Sequence, residues 1–189
     1  MQNILNFSDI QQLRNWLEVN GGKETECWVN SSRSNPCPQG RLPYLEIVEQ
    51  ALCFGWIDST LKKHEDGLYQ RLSPRKKTSE WTELNKERVR RLEKLGMMTD
   101  SGRKVLPDMN ESHFKIPQDI KKVLKKDKTA WQNFNSFPPL YQRIRVQGID
   151  FYRKRSAEVF NRRLEKLVLM SREGKMYGEW NDKGRLLDY

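Results

Sequence analysis

The sequence predicts an α+β protein, with a small N-terminal antiparallel sheet and packed helices followed by an all-helical C-terminal part. Two observations predict it. Alternating polar and apolar runs at 24–30, 56–63 and 68–73 read as strands, and all fall before residue 75. Apolar spacing of three and four residues then carries the chain from 117 to 174. The strands lack regular helical crossovers, which argues against a doubly wound sheet.

The elements follow in order. Ser8 is an expected N-cap with Gln11 completing a capping box, Ile10, Leu13 and Leu17 form one stripe, and Asn20-Gly21-Gly22 ends that helix. Residues 24–30 alternate Thr25, Cys27 and Val29 against Glu24, Glu26, Trp28 and Asn30, which is a strand pattern. Residues 31–41, rich in Ser, Asn, Pro and Gly, read as a loop. A helix over 43–54 turns Tyr44, Ile47, Val48, Ala51 and Leu52 inward and stops at Gly55. Strands at 56–63 and 68–73 flank a tight turn at Glu65-Asp66-Gly67, and Pro74 ends their pairing. Ser79 is an expected cap for a helix to Leu95, and Thr99 for a short helix ending before Pro107. Further helices are expected at 117–126, 129–136, 139–147 and 150–174, and the tail 175–189 is weakly patterned. The expected division is 1–107 for the α+β domain, 108–116 for a linker, 117–175 for a basic helical domain and 176–189 for the tail.

Composition bounds the function. The 189 residues are 36% hydrophobic but include seven Phe, six Trp and six Tyr, enough large side chains for a core. The longest apolar run is a few residues, so membrane insertion is not expected, and 1–10 lack a signal-peptide pattern; the expectation is a cytoplasmic protein. Cys27 and Cys53 read as small core residues and Cys37 as a loop thiol. With two histidines and no Cys-x-x-Cys, neither a metal nor a cofactor is expected. Residues 1–66 carry 6 Lys/Arg against 9 Asp/Glu, a net of −3, and residues 67–189 carry 29 against 16, a net of +13. Such a field attracts phosphates, anionic lipid or an acidic partner.

The run Glu49-Gln50-Ala51-Leu52-Cys53-Phe54-Gly55-Trp56-Ile57-Asp58 resembles the E-A-L-C-F-G-W-I-D signature of the YdeI/OmpD-associated, bacteriocin-protection family. Tyr69-Gln70-Arg71-Leu72-Ser73-Pro74-Arg75-Lys76 is similar to a second element of that family, and Trp81, Asn85 and Gly96-Met97-Met98-Thr99 to a third. This resemblance covers roughly residues 40–106. Further on, Lys154-Arg155-Ser156-Ala157-Glu158 keeps a basic pair and an acid of the family's basic helical region, but Val159 and Phe160 replace its Thr-Arg. The resemblance implies a bacterial protein of stress or bacteriocin protection, linked by name to an outer-membrane porin, and brings no enzymatic reaction with it.

Two sets of candidate site residues follow. Trp56, Asp58, Arg71, Arg75, Trp81 and Asn85 are expected either to converge on one pocket for an anionic small ligand or to divide their roles. In the second case Asp58 and Arg71 form a cross-strand pair while the tryptophans fill the core. Lys121, Lys122, Lys125, Lys126, Arg153, Arg155, Arg162 and Arg163, interleaved with Tyr141, Phe151 and Tyr152, suit nucleic acid; the competing reading is a solvated basic face over a core. No catalytic residue stands out. Asp58 has no second carboxylate at a defined spacing, and Ser73 and Ser79 have no histidine base at a recognisable one. Binding is therefore the leading reading, with nucleic-acid binding and an enzyme of unknown reaction as alternatives.

Overall fold

The computed structural model describes residues 1, 3–64 and 67–189. The chain divides into two compact units, Met1–Glu80 with Arg88–Pro107, and Trp81–Glu87 with Asp108–Tyr189. The fold is α+β, with five strands in the N-terminal half and eight α-helices among the described residues.

In the first unit, helix α1 (Ile10–Asn20) begins one residue later than a Ser8 cap would place it. The Asp9 carboxylate takes the Gln12 N–H at 3.1 Å, and the Gln12 side chain accepts from the Ser8 N–H at 2.8 Å, so reciprocal capping is shifted by one position. The sheet is mixed rather than purely antiparallel. Strands β1 (Ile4–Leu5) and β3 (Leu42–Pro43) both pair in parallel with β2 (Cys27–Ser32). Strand β5 (Gly67–Pro74) runs antiparallel between β2 and β4 (Trp56–His64). Two-residue strands have no period to read, which hid β1 and β3 in the sequence. The turn expected at Glu65-Asp66-Gly67 lies partly outside the described residues.

Helix α2 (Tyr44–Cys53) and α1 pack on one sheet face, where Leu13, Leu17, Val29, Ile47, Trp56 and Leu72 make the core. Gly55 has φ of +75°, and a Cβ there would meet the Ser101 carbonyl oxygen at 2.9 Å. Helix-to-strand passage at this point thus requires glycine twice over, for backbone and for space. Thr99 caps the short α4 (Asp100–Arg103) as expected, and its hydroxyl also donates to the Cys53 carbonyl at 2.6 Å.

Helix α3 (Glu83–Lys94) starts later than a Ser79 cap predicts. Thr82 Oγ1 takes the Asn85 N–H, while Ser79 Oγ accepts from the Lys76 N–H in the preceding turn. The division between the units falls within α3.

The second unit contains α5 (Gln118–Lys125), α6 (Lys128–Ser136), α7 (Pro139–Asp150) and α8 (Ala157–Arg172). Residues 108–116 include a 3₁₀ turn, Glu111–His113. The single helix expected over 150–174 is instead the end of α7, a turn at 151–155, and α8, because the Ser156 hydroxyl accepts the Val159 N–H and starts a new helix. The tail is packed. Trp180 and Leu186 are buried beside Phe134, Tyr141, Val146 and Leu167.

Candidate functional site

Register decides the fate of the first candidate set. Asp58 pairs with Leu72 across the β4–β5 ladder, whereas Arg71 pairs with Trp28 across β5–β2. Successive side chains alternate faces, so Asp58 shares the helix-covered face with Leu72, and Arg71 lies on the other. The cross-strand Asp58–Arg71 pair therefore does not form. Arg71 instead donates through Nε and Nη2 to Glu26 Oε2 at 2.8 and 2.6 Å, and through Nη1 to Ser59 Oγ at 3.4 Å. Trp56 is 1% exposed, packs edge-on to Trp16, and its indole N–H donates to the Gly21 carbonyl at 3.1 Å. It is a core residue.

Asp58 and Arg75 lie within reach of each other's field without an ion pair between them. The Tyr44 hydroxyl donates to Asp58 Oδ2 at 2.8 Å, and the Arg33 guanidinium sits 4.1 Å from the centre of the Tyr44 ring. Burial, with the Asp58 carboxylate adding to it, pushes the Tyr44 phenol up to about 12. Arg75 is buried and donates to the Glu80 carbonyl; burial pulls its guanidinium down to about 10 against the opposing field of Asp58. Trp81 and Asn85 belong to the second unit, both half-buried, and Gln147 Nε2 donates to the Trp81 carbonyl. Of six candidates, then, the first unit places Arg75 in the field of Asp58 and puts Arg71 on the other sheet face. Tyr44 and Arg33 were missed as members of this corner. Helical spacing marked Tyr44 as an inward side chain, and the destination of its hydroxyl has no signal in sequence.

The thiols offer no nucleophile in the core. Burial raises Cys27 to about 12 and Cys53 to about 11. Among the described residues no group of three His, Cys, Asp or Glu could hold a metal ion, and no helix is long and apolar enough to cross a membrane.

The basic candidates of the second unit separate into two kinds. Arg153 is a brace: it forms a two-pronged bond to Asp119 at 2.5 and 3.0 Å and reaches Asp150 at 2.6 Å. These bonds hold Asp119 below the usual carboxylate range. Arg172 bonds Asp127, whose carboxylate is lowered first by the Ala130 N–H and then by that arginine. Arg162 makes a loose pair with Glu158 at 3.9 Å, and Arg163 donates to the Gly148 carbonyl while covering the Tyr152 ring at 4.3 Å. Arg155 donates to the Phe151 carbonyl and lies 3.7 Å over the Phe151 ring.

Lys121, Lys122, Lys125, Lys126 and Lys128 make no ion pair among the described residues, and all but the half-buried Lys121 are exposed. Lys121 and Lys125 place their ammonium groups 5.9 and 5.3 Å from the centre of the half-buried Trp131 ring. The acids near them in sequence, Asp119 and Asp127, are committed to Arg153 and Arg172. The α5 lysines therefore present uncompensated charge beside an aromatic. Trp131 was missed because its spacing on α6 reads as core.

Elsewhere in this unit, Arg143 is 7% exposed and meets three carboxylates, Glu83 at 3.2 Å, Glu87 at 3.1 Å and Glu111 at 2.6 Å. The partners come from two separated segments, α3 for Glu83 and Glu87 and the 3₁₀ turn for Glu111, so no local pattern announces them. A cleft of about 210 Å³ opens beside it between Phe114, Ile116, Pro139 and Gln142. That is smaller than the roughly 300–1,000 Å³ typical of ligand pockets.

A mixed α+β unit with buried polar corners and a helical unit with an exposed lysine cluster make a two-part protein. The chain belongs to the family described as a domain of unknown function (DUF8412), whose model matches residues 5–105. Residues 113–174 match the family described as Bacteriocin-protection, YdeI or OmpD-Associated. The resemblance to that second family thus holds for the helical part, whereas the motif-bearing stretch at 40–106 falls almost wholly within the first match. No curated protein and no solved structure matches the chain.

Proposed function

We propose that the protein works in a protection-type role by binding rather than by catalysis, and that its second unit binds nucleic acid through the phosphate backbone. The observation that carries this reading is the exposed lysine cluster of 121–128, left without acidic partners because Asp119 and Asp127 are held by arginines. Lysines of this kind gain by replacing condensed counterions on a phosphate chain, so affinity must fall steeply as salt rises. The test is binding of mixed-sequence DNA and RNA from about 50 to 200 mM salt. Five phosphate contacts on a duplex predict a slope of about −4.5 in log affinity against log salt. Absence of binding at the lowest salt would overturn the reading.

A second reading keeps a small anionic ligand at the Tyr44–Asp58–Arg75 corner, favoured by the Arg33 guanidinium beside it. Phosphate, nucleotides and small carboxylates are the probes, and a bound ligand raises the melting temperature by mass action. Asp58→Asn is the informative variant, since Arg71 is occupied by Glu26 on the opposite sheet face. A ligand that shifts the wild type and Asp58→Asn equally is not held at this corner.

A further inference from the structure

We propose that the nucleic acid taken by the second unit is single-stranded, its bases stacking on Trp131 and Phe151 while the α5 lysines hold the phosphates. This rests on the nucleic-acid reading above and adds the strand state and the residues that select it.

Two aromatic platforms flank one lysine-bearing helix. At one end, Trp131 has Phe134 behind it, nearly parallel at 6.2 Å, and the ammonium groups of Lys121 and Lys125 over the ring. At the other end, Arg153 ties the turn at 151–155 to Asp119 in the first turn of α5. That turn carries Phe151, which remains 42% exposed although Arg155 lies over the ring and Tyr152 meets its edge at 5.1 Å. From Asp119 to Lys125 the helix rises about 9 Å. Two base-sized surfaces therefore lie along a cationic track a few nucleotides long.

The lysines over Trp131 do not bar a base. An exposed cation–aromatic contact is worth roughly a two- to five-fold preference, whereas stacking a base on an aromatic side chain is worth roughly five- to 150-fold. A base can displace the ammonium groups, and each displaced lysine then finds a phosphate. Duplex DNA cannot make the same exchange, because its bases are already stacked and only its phosphates face outward. Side chains such as Phe151 also gain nothing from a bare phosphate chain. The pairing of flat apolar rings with unpaired lysines thus selects strands with free bases over other polyanions.

The experiment compares three probes of about 12 nucleotides, a length within known single-strand site sizes, on the full chain: oligothymidylate, an abasic strand of equal charge, and a duplex. The expected result is at least ten-fold tighter binding of oligothymidylate than of the abasic strand or the duplex. Phe151→Ala, at an exposed turn where folding is not at stake, should weaken oligothymidylate about five-fold or more and leave the duplex unchanged. Trp131→Ala should do the same, with Trp131→Phe restoring part of the loss. Equal affinity for all three probes would overturn the stacking inference while leaving nucleic-acid binding intact. No binding of any probe would remove both.

Discussion

The two units carry similar net charge but spend it differently. By sequence the first holds 16 Lys/Arg against 12 Asp/Glu, and the second 19 against 13. The large positive excess after residue 66 is therefore not a property of the helical unit alone, because the basic stretches at 71–77 and 88–104 belong to the first. The first unit turns its charges inward or onto each other: Glu49 with Arg91 at 2.8 Å, Glu26 with Arg71 at 2.6 Å, and Asp58 near Arg75. The second concentrates three carboxylates on one buried arginine and commits two more to arginine braces, which leaves the lysines of 121–128 uncovered. What marks a binding face is where the acids have gone, and total charge says little about it.

The largest effects expected break each unit at its own centre. Trp56→Ala empties the first core and should cost about 3–5 kcal/mol. Arg143→Ala removes the buried cation shared by Glu83 and Glu87, leaving Glu83 only its Lys86 partner at 2.9 Å, and should cost a similar amount, about 3–5 kcal/mol. Hydrogen exchange should then rise within 1–80 and 88–107 for the first variant, and within 81–87 and 108–189 for the second. Identical exchange patterns for both variants would contradict the division into units. Next comes Gly55→Ala, which forces a side chain into a left-handed backbone and against the Ser101 carbonyl. A loss of about 2 kcal/mol in urea unfolding is expected.

Alkaline pH sharpens the comparison further. Cys27 and Cys53 have folded values near 12 and 11, above the ordinary thiol value of 9.0, so the fold favours their neutral forms. Their contribution is complete below about pH 9 and is lost as pH rises toward 11–12, because the unfolded thiols ionise first. Tyr141, raised to about 12, and Tyr177, also raised, begin to act only above the ordinary phenol value of 10.0. The first unit should therefore loosen from about pH 9 and the second roughly one pH unit later. Mass-resolved labelling of Cys27 and Cys53 against pH reports the first, and tyrosine absorbance the second. The smallest effect on stability is expected for Lys122→Ala and Lys126→Ala, within about 0.5 kcal/mol. Each should nevertheless flatten the salt slope for a single strand by about 0.7.

Order, type and approximate length of most elements were legible, because long stripes such as Leu13 and Leu17 or Leu164 and Leu167 repeat at the helical period. Gly55 and Thr99 were legible too, since each residue type answers a local backbone need. The pairing of Asp58 with Leu72 was not. Alternation gives the two faces of a strand, but register between strands depends on the turn and on the irregularity between Asp58 and Leu61. The break before α8 was masked because Phe151 and Tyr152 continue an apolar spacing that the Ser156 cap interrupts. Trp180 and Leu186 were passed over because a tail without regular secondary structure has no period to betray burial. Arg143 and its carboxylates were hidden for a different reason: their encounter is long-range, and charged residues spaced this far apart look like ordinary surface.

The ion pairs of Arg143 also order events during synthesis. Glu87 precedes Arg143 by 56 residues. At about 5–20 residues per second, the nascent chain carries these acids for roughly 3–11 s before their cation is made. For that interval the start of α3 holds two carboxylates, Glu83 and Glu87, with Lys86 and Arg88 as the neighbouring cations in sequence. A fragment cut at residue 108 to express the helical unit alone would inherit the arginine without them. The shortest self-sufficient piece of that unit should therefore begin no later than Trp81.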